Sequence, residues 1–269
     1  AQVVDVQFEP DAAQVRLADG RCLRAPLVVG AEGRGSIVGK AAGIHQTSWG
    51  YDQSAVVVTV RLEQPHGGVA HEYFLPSGPF AILPLTDDRA SLVWTEATER
   101  ALALKSSPPE VFHAHLRRRF GDFLGQIQVE GPVFTYPLSL QLAERLTGPR
   151  IALLGDAAHG VHPIAGQGLN LGLRDVAALV EVLTDGMRLG LDPGDAQVLA
   201  RYERWRAADT FMVSAATDVL TRLFGVPGRL TSAIRRLGMA GVQRVPALKR
   251  FFMDEARGMS GDLPELLRA

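Results

Sequence analysis

The feature that most constrains this chain is the stretch Leu154–Asp175, LGDAAHGVHPIAGQGLNLGLRD. It follows a short apolar run, Ile151–Leu154, and leads into a segment whose apolar residues Leu169, Leu173, Val176, Ala177, Val180 and Leu183 recur at helical spacing. A buried strand that ends in Gly-Asp, passes through glycines and enters a helix predicts a site for an anion or a cofactor. The first turn of a helix presents N–H groups without intrahelical partners and about half a positive charge. Gly166 and Gly168 let the backbone approach a flat ligand because no Cβ intervenes. Asp156, at the strand's carboxyl end, is placed to accept hydrogen bonds from hydroxyls. Two other readings of the same residues stand beside this one. Asp156, His159 and His162 are legitimate metal ligands, although they crowd into one turn-rich segment with no second carboxylate nearby. The glycines can also be plain turn residues, since the glycine after Gly168 is Gly172, off the G-x-G-x-x-G spacing.

Upstream, Val3–Phe8 and Gln14–Leu17 alternate as strands, Asp19-Gly20 is a hairpin signal, and Leu27–Ala31 is a short buried run that ends in the loop Gly30–Ser36. A helix is expected from there toward Ile44. From about Ser48 the pattern changes to four short strands, Ala55–Leu62, His71–Leu75, Phe80–Leu85 and Ala90–Thr95, separated by Gly/Pro/Asp turns, which predicts an antiparallel sheet. Pro108-Pro109 opens a helix with Val111, Phe112, His115, Leu116 and Phe120 on one face, and Val129–Leu140 is strand-like again. From Ala196 onward the periodicity is helical, broken at Gly225–Gly228, Gly241 and Pro246.

Composition narrows the function classes. A formal net charge of -1 supplies no global field for nucleic acid. The single cysteine, Cys22, excludes an internal disulfide framework and a Cys-based zinc cluster and suits a reducing cytoplasm. No apolar run approaches the roughly 20 residues of a membrane-spanning helix. The opening AQVVDVQFEP lacks the basic-then-apolar order of a signal peptide, and it begins inside a strand pattern without Met, which predicts a fragment.

The run His162–Asn170, HPIAGQGLN, with Asp175 following, resembles the second FAD-binding motif of the p-hydroxybenzoate-hydroxylase-like flavoprotein monooxygenases, and within them the signature of the ubiquinone-biosynthesis hydroxylases. Val29–Ser36, VGAEGRGS, is similar to the family's Asp-Gly motif, with Glu32 in place of the usual Asp; Gly39 stands where Arg is usual, next to Lys40. The resemblance implies an α/β and α+β fold: a partial FAD-binding Rossmann-like domain, an inserted antiparallel substrate sheet and a helical tail. It divides the chain at 1–46, 47–147, 148–190 and 191–269, with FAD-domain segments first and third. It implies FAD as cofactor and NAD(P)H as co-substrate, with Glu32 and Gly33 touching FAD, Asp156 on the ribityl chain, Pro163 near the isoalloxazine, and Gly166, Gln167, Gly168, Leu169 and Asn170 facing its pyrimidine edge. No metal is implied.

The family's opening strand, G-x-G-x-x-G loop and helix, which hold the ADP half of FAD, have no counterpart in the sequence. The chain alone is therefore expected to be inactive, to bind no FAD, and to expose open strand edges at Leu27–Ala31 and Ile151–Leu154 through which it could self-associate.

The implied reaction is hydroxylation of a polyprenylated phenol in ubiquinone biosynthesis, with Tyr73, Phe74, Leu83 and Pro84 as substrate-lining residues; ordinary sheet core is the other reading of these four. The alternatives at the level of function are a non-catalytic lipid-binding or scaffold subunit of a quinone-biosynthesis complex, or another flavin oxidoreductase of the superfamily. The segment Arg222–Arg257 interleaves Arg229, Arg235, Arg236, Lys249 and Arg250 with apolar residues. That pattern fits either a peripheral contact with the inner face of the membrane or a helix packed with a solvated basic face. The expected location is cytoplasmic, and no nucleic-acid partner is expected.

Overall fold

The computed structural model describes residues 1–163 and 166–225, with residues 244–247, 250, 253 and 262–268. The tail residues Arg229, Arg235, Arg236, Lys249 and Arg257 lie outside the described residues, as do Ile164 and Ala165 of the loop. Twelve strands and five α-helices appear among the described residues. Two compact units form: Ala1–Trp49 and Ser139–Val219 with the described residues after 236, and Gly50–Leu138 with residues 220–225.

In the first unit, β1 (Val3–Phe8), β2 (Ala13–Leu17) and β3 (Cys22–Ala25) form an antiparallel meander. The strand β3 escapes sequence reading because its pattern is exposed throughout apart from half-buried Ala25. A second small sheet joins β4 (Val28–Gly30), β11 (Ile151–Leu153) and β10 (Thr147–Gly148) in the order β10-β11-β4. The parallel register pairs Ile151 with Val28 and Leu153 with Gly30, so the expectation of an open edge at Ile151–Leu154 is corrected, because β11 is flanked on both sides, whereas β4 is an edge strand among the described residues. Gly30 permits the contact, since a Cβ there would lie 2.6 Å from Leu153 Cδ2.

Ser36 caps α1 (Ile37–Ala41), accepting from the Gly39 N–H at 2.8 Å. The long helices α4 (Gln167–Arg188) and α5 (Ala196–Gly225) complete the unit. Leu179 and Val182 of α4, Leu199 and Tyr202 of α5, and Ile151 and Leu153 share its core, each burial contributing about 1.5–3 kcal/mol. Of the residues whose spacing marks α4, only Ala177 and half-buried Leu183 belong to its buried side. Leu169, Leu173, Val176 and Val180 are exposed, whereas Leu171, Ala178, Leu179 and Val182 are buried. Apolar residues occur on both sides of this helix, so spacing alone could not select the inward one.

In the second unit, β5 (Gln46–Leu62), β6 (His71–Leu75), β7 (Gly78–Pro84), β8 (Arg89–Ala97) and β9 (Ile127–Ala143) belong to a sheet ordered β12-β9-β5-β8-β7-β6, with β12 (His159–Gly160) at its edge. The strands β5 and β9 start or end in the first unit. One face is covered by α2 (Thr98–Lys105), which sequence reading missed, and α3 (Pro109–Phe120). Val56, Val58, Val60, Phe80, Ile82, Leu92 and Trp94 meet Leu104, Phe112, Leu116 and Phe120 there. Val111, expected on the same α3 face, is 45% exposed. Pro109 starts α3 where its missing N–H has no intrahelical role, and Gly121, at φ 79, ends it.

Candidate functional site

The two motif loops lie together in the first unit, and Arg34 joins them. Its Nε donates to Asp156 Oδ2 at 3.2 Å, one Nη to Ser139 Oγ at 2.6 Å and the Ser139 carbonyl at 3.1 Å, and the other Nη to the Val161 carbonyl at 3.2 Å. Gly160 makes room for the guanidinium, since a Cβ there would lie 2.8 Å from Arg34 Cζ. Sequence reading quoted Arg34 inside its motif without giving it a role; its only signal was a cation amid glycines.

Glu32 is turned inward on its own loop. Its Oε1 accepts from Ser36 Oγ at 2.6 Å and from the Val38 N–H at 2.8 Å, so this carboxylate holds the start of α1. Gly33 has φ 82 and open space where a Cβ would stand. Beside this loop is a cavity of about 580 Å³ lined in part by Val28, Val29, Glu32, Arg34 and Gly35.

The Ile151–Leu183 expectation of strand, glycine loop and helix matches the structure. A 3-10 turn, Gly155–Ala157, follows β11, and α4 begins at Gln167. Asp156 sits in that turn with its side chain 47% exposed, leaving a carboxylate able to accept from a ligand hydroxyl. Gly166 caps α4 in the left-handed region, φ 63 and ψ 23, with no side-chain hydrogen bond to the first turn and no acidic residue in it. Leu169, in that turn, is 73% exposed. A helix start whose N-cap residue is a glycine with open space, together with a half-exposed Asp, supplies the donor and acceptor types that a flavin's carbonyl edge and ribityl hydroxyls require, so these residues fit FAD. Pro163, Gln167, Gly168 and Asn170 lie in the same segment.

Two of the three residues of the alternative metal reading go to separate partners. Asp156 meets Arg34, whereas His159 Nε2 and Asp175 Oδ2 lie 2.5 Å apart, both fully buried. Asp175 also accepts from the Gly155 N–H at 3.0 Å and from Arg206 Nε at 2.7 Å. Arg206 pairs in turn with Asp209, which Arg174 grips through both carboxylate oxygens at 2.9 and 2.8 Å. Burial would raise the Asp175 pKa, but the hydrogen bond and charge of His159 and those of Arg206 hold it below the ordinary value. His162 is also fully buried; desolvation and then the Arg34 charge lower its pKa to about 4, with Asp218 opposing. Sequence reading noted Asp175 only as part of a motif and did not foresee Arg206, which is distant in the chain.

The four substrate candidates do not share one surface. Directly opposed residues in antiparallel strands point to the same face. Tyr73 opposes Phe80 and Pro84 opposes Ala90, on the helix-covered face; Phe74 opposes Pro79 and Leu83 opposes Ser91, on the other. Tyr73 packs edge-on against Phe123, 6.3 Å between ring centres. Tyr73, Phe74 and Leu83 are 39%, 38% and 39% exposed, so the reading of these residues as ordinary sheet core is corrected.

Comparison with known proteins agrees with this geometry. The ubiquinone hydroxylase UbiL of Rhodospirillum rubrum is 48% identical over all of this chain and 63% of its own length. The 3-demethoxyubiquinol 3-hydroxylase of Escherichia coli is 36% identical, over 93% of this chain and 63% of its own. The mitochondrial ubiquinone biosynthesis monooxygenase COQ6 of Homo sapiens is 36% identical, over 89% and 58%. The chain thus spans about three-fifths of the length of these relatives. The crystal structure of p-nitrophenol 4-monooxygenase PnpA from Pseudomonas putida superposes with a TM-score of 0.78 at 18% identity, over 97% of this chain and 67% of that one, which shows the fold. The model of the FAD binding domain matches residues 5–213, the span that carries both motif loops and the Arg34 link between them, and the chain belongs to that family.

Proposed function

We propose that this chain serves an FAD-dependent aromatic-ring hydroxylase that uses NAD(P)H and acts on a polyprenylated phenol in ubiquinone biosynthesis. The observation that carries the reading is the Arg34 link: two motif loops distant in sequence meet beside the start of α4. The names of the relatives support the substrate class. FAD, when bound, supplies the redox and oxygen chemistry. Asp156 accepts hydrogen bonds from the ribityl chain, Arg34 fixes that carboxylate, and Glu32 with Gly33 shapes the neighbouring turn. The backbone from Gly166 to Asn170 and Pro163 would hold the flavin ring, and the positive end of α4 would stabilise negative charge on it.

The open face of the substrate sheet suits an apolar ring. Phe74 and Leu83 lie on it. Arg61, which alternates with the inward Val60 and Leu62, pairs with Glu130 at 2.7 Å, so Glu130 and, by alternation, Phe134 and Tyr136 face the same way. Phe134 and Tyr136 stack at 6.4 Å. Such a face positions the ring and excludes water rather than moving protons. Tyr73 and Pro84 support it from the helix side. A lipid-soluble substrate also supports a peripheral membrane contact through the basic tail; among the described residues no helix is long and apolar enough to cross a membrane.

The test is flavin content of the full gene product after gel filtration. Asp156→Ala loses a charge-assisted hydrogen bond and should leave most of the protein without flavin. Wild-type stoichiometry in that variant would overturn the assignment.

A further inference from the structure

The second unit carries a basic cavity that the hydroxylase reading does not use. It holds about 340 Å³ and is walled by Arg100, His115, Arg118 and Arg119 over a floor that includes Leu75 and Trp94. Arg100 comes from the first turn of α2, and the other three from the second half of α3. The floor belongs to the helix-covered face of the sheet, opposite the face that carries Phe74 and Leu83.

The charges in this cavity do not cancel. Glu96, 1% exposed, is the one carboxylate paired with its guanidiniums among the described residues. It accepts from Trp94 Nε1 at 3.1 Å, pairs closely with Arg119 and stands 3.9 Å from Arg100. Arg119 is held further by Ser77 Oγ at 2.9 Å and lies 5.0 Å over the Trp94 ring. Burial lowers the Arg119 pKa; Glu96 opposes this and Arg100 adds to it, the mark of two guanidiniums that repel each other. Arg118 is exposed, and neither it nor His115 has a hydrogen bond or ion pair among the described residues. The helix dipole accounts for cations in the last turn of α3 but not for Arg100, which sits at the positive end of α2.

We propose that this cavity is a binding site for a phosphate-bearing anion, for which inorganic pyrophosphate is the probe. Glu96 fixes Arg119 at the base, and Arg100 and Arg118 close on the anion from two helices with planar, multiply donating groups. The bound anion relieves the repulsion between Arg100 and Arg119.

Isothermal titration of the 269-residue chain with inorganic pyrophosphate tests the site. Saturable one-site binding is expected, weakening as salt rises. Arg100→Ala and Arg118→Ala should each weaken it about tenfold, and Arg118→Glu should abolish it. Neither side chain is part of the buried core, so circular dichroism should stay unchanged. Competition by NADPH would identify a soluble phosphate source, and competition by phosphatidic-acid vesicles a lipid headgroup; either upholds the site. Absence of saturable binding at millimolar pyrophosphate, or binding that all three variants retain, would overturn it.

Discussion

The two units stabilise their working parts by different means. The loop region of the first rests on buried charge: Asp175, at 0% exposure, gathers the Gly155 N–H, His159 and Arg206, and Arg206 leads on to Asp209 and Arg174. Within it, His159 Nδ1 and Arg206 Nη2 have no hydrogen-bond partner among the described residues. The sheet of the second unit rests on apolar area, with Phe80, Ile82, Leu92 and Trp94 closed over by α2 and α3. Charge networks fix geometry and tolerate little change, because removing one partner strands another in a medium of low dielectric. Apolar packing tolerates change in proportion to the volume lost. A loop that must hold ligand atoms in place gains from the first, and a sheet that presents a broad face needs only the second.

The sharpest way to break this comparison is Asp175→Ala. It leaves Arg206 buried beside His159 without its carboxylate and should cost about 3–5 kcal/mol, read from the midpoint of denaturant unfolding. A cost below about 1 kcal/mol would mean that water or Asp209 neutralises Arg206, and that the network is not what holds the loop.

Acid should act on the first unit before it acts on the second. His162 has its folded pKa depressed to about 4, below an unfolded value of about 6.5. The unfolded chain therefore binds more protons between those values, and stability should fall as pH drops from about 6.5 to 4, by at most about 1.4 kcal/mol per pH unit. Asp175, also depressed, contributes stability that is present above its unfolded value and lost as pH falls further, through its lowered folded pKa. His162→Gln should flatten the upper part of this profile. An unchanged slope between pH 6.5 and 4 would assign the acid loss to other groups.

The smallest expected effect lies in the sheet. Ile82 is 1% exposed and opposes Leu92, and Ile82→Val should cost about 0.5–1.5 kcal/mol. If that single methylene cost as much as Asp175→Ala, the contrast between charge-held and area-held regions would fail.

Local order was legible in the sequence where spacing and side-chain chemistry agree. The strands Val3–Phe8 and His71–Leu75, the turn at Asp19-Gly20, the helix from Pro109 and the strand, loop and helix around Asp156 all follow from alternation, glycine placement and helix-start signals. The motif at Val29–Ser36 and the one at Leu154–Asp175 could each be read as a glycine-rich loop at the end of a strand. Which side of α4 turns inward was not legible, because Leu169 and Leu173 are as apolar as Leu171 and Leu179. Nor could the sequence divide Tyr73 and Pro84 from Phe74 and Leu83. A strand's two faces follow from period two, but which face is covered depends on where α2 and α3 pack.

The sequence by itself determined where a cofactor loop could stand, from an Asp after an apolar strand and glycines at a helix start, and its family resemblance named that cofactor as a flavin. Only the tertiary structure decided how those residues are used. Arg34 reaches Asp156 across 122 positions of chain, and Arg206 reaches Asp175 across 31. Contacts over such separations are set by how β4 and β11 pair and how α4 and α5 pack, and no local propensity encodes them. The same holds for Arg119, which reaches the buried Glu96 across 23 positions and so comes to stand beside Arg100, four residues from that carboxylate.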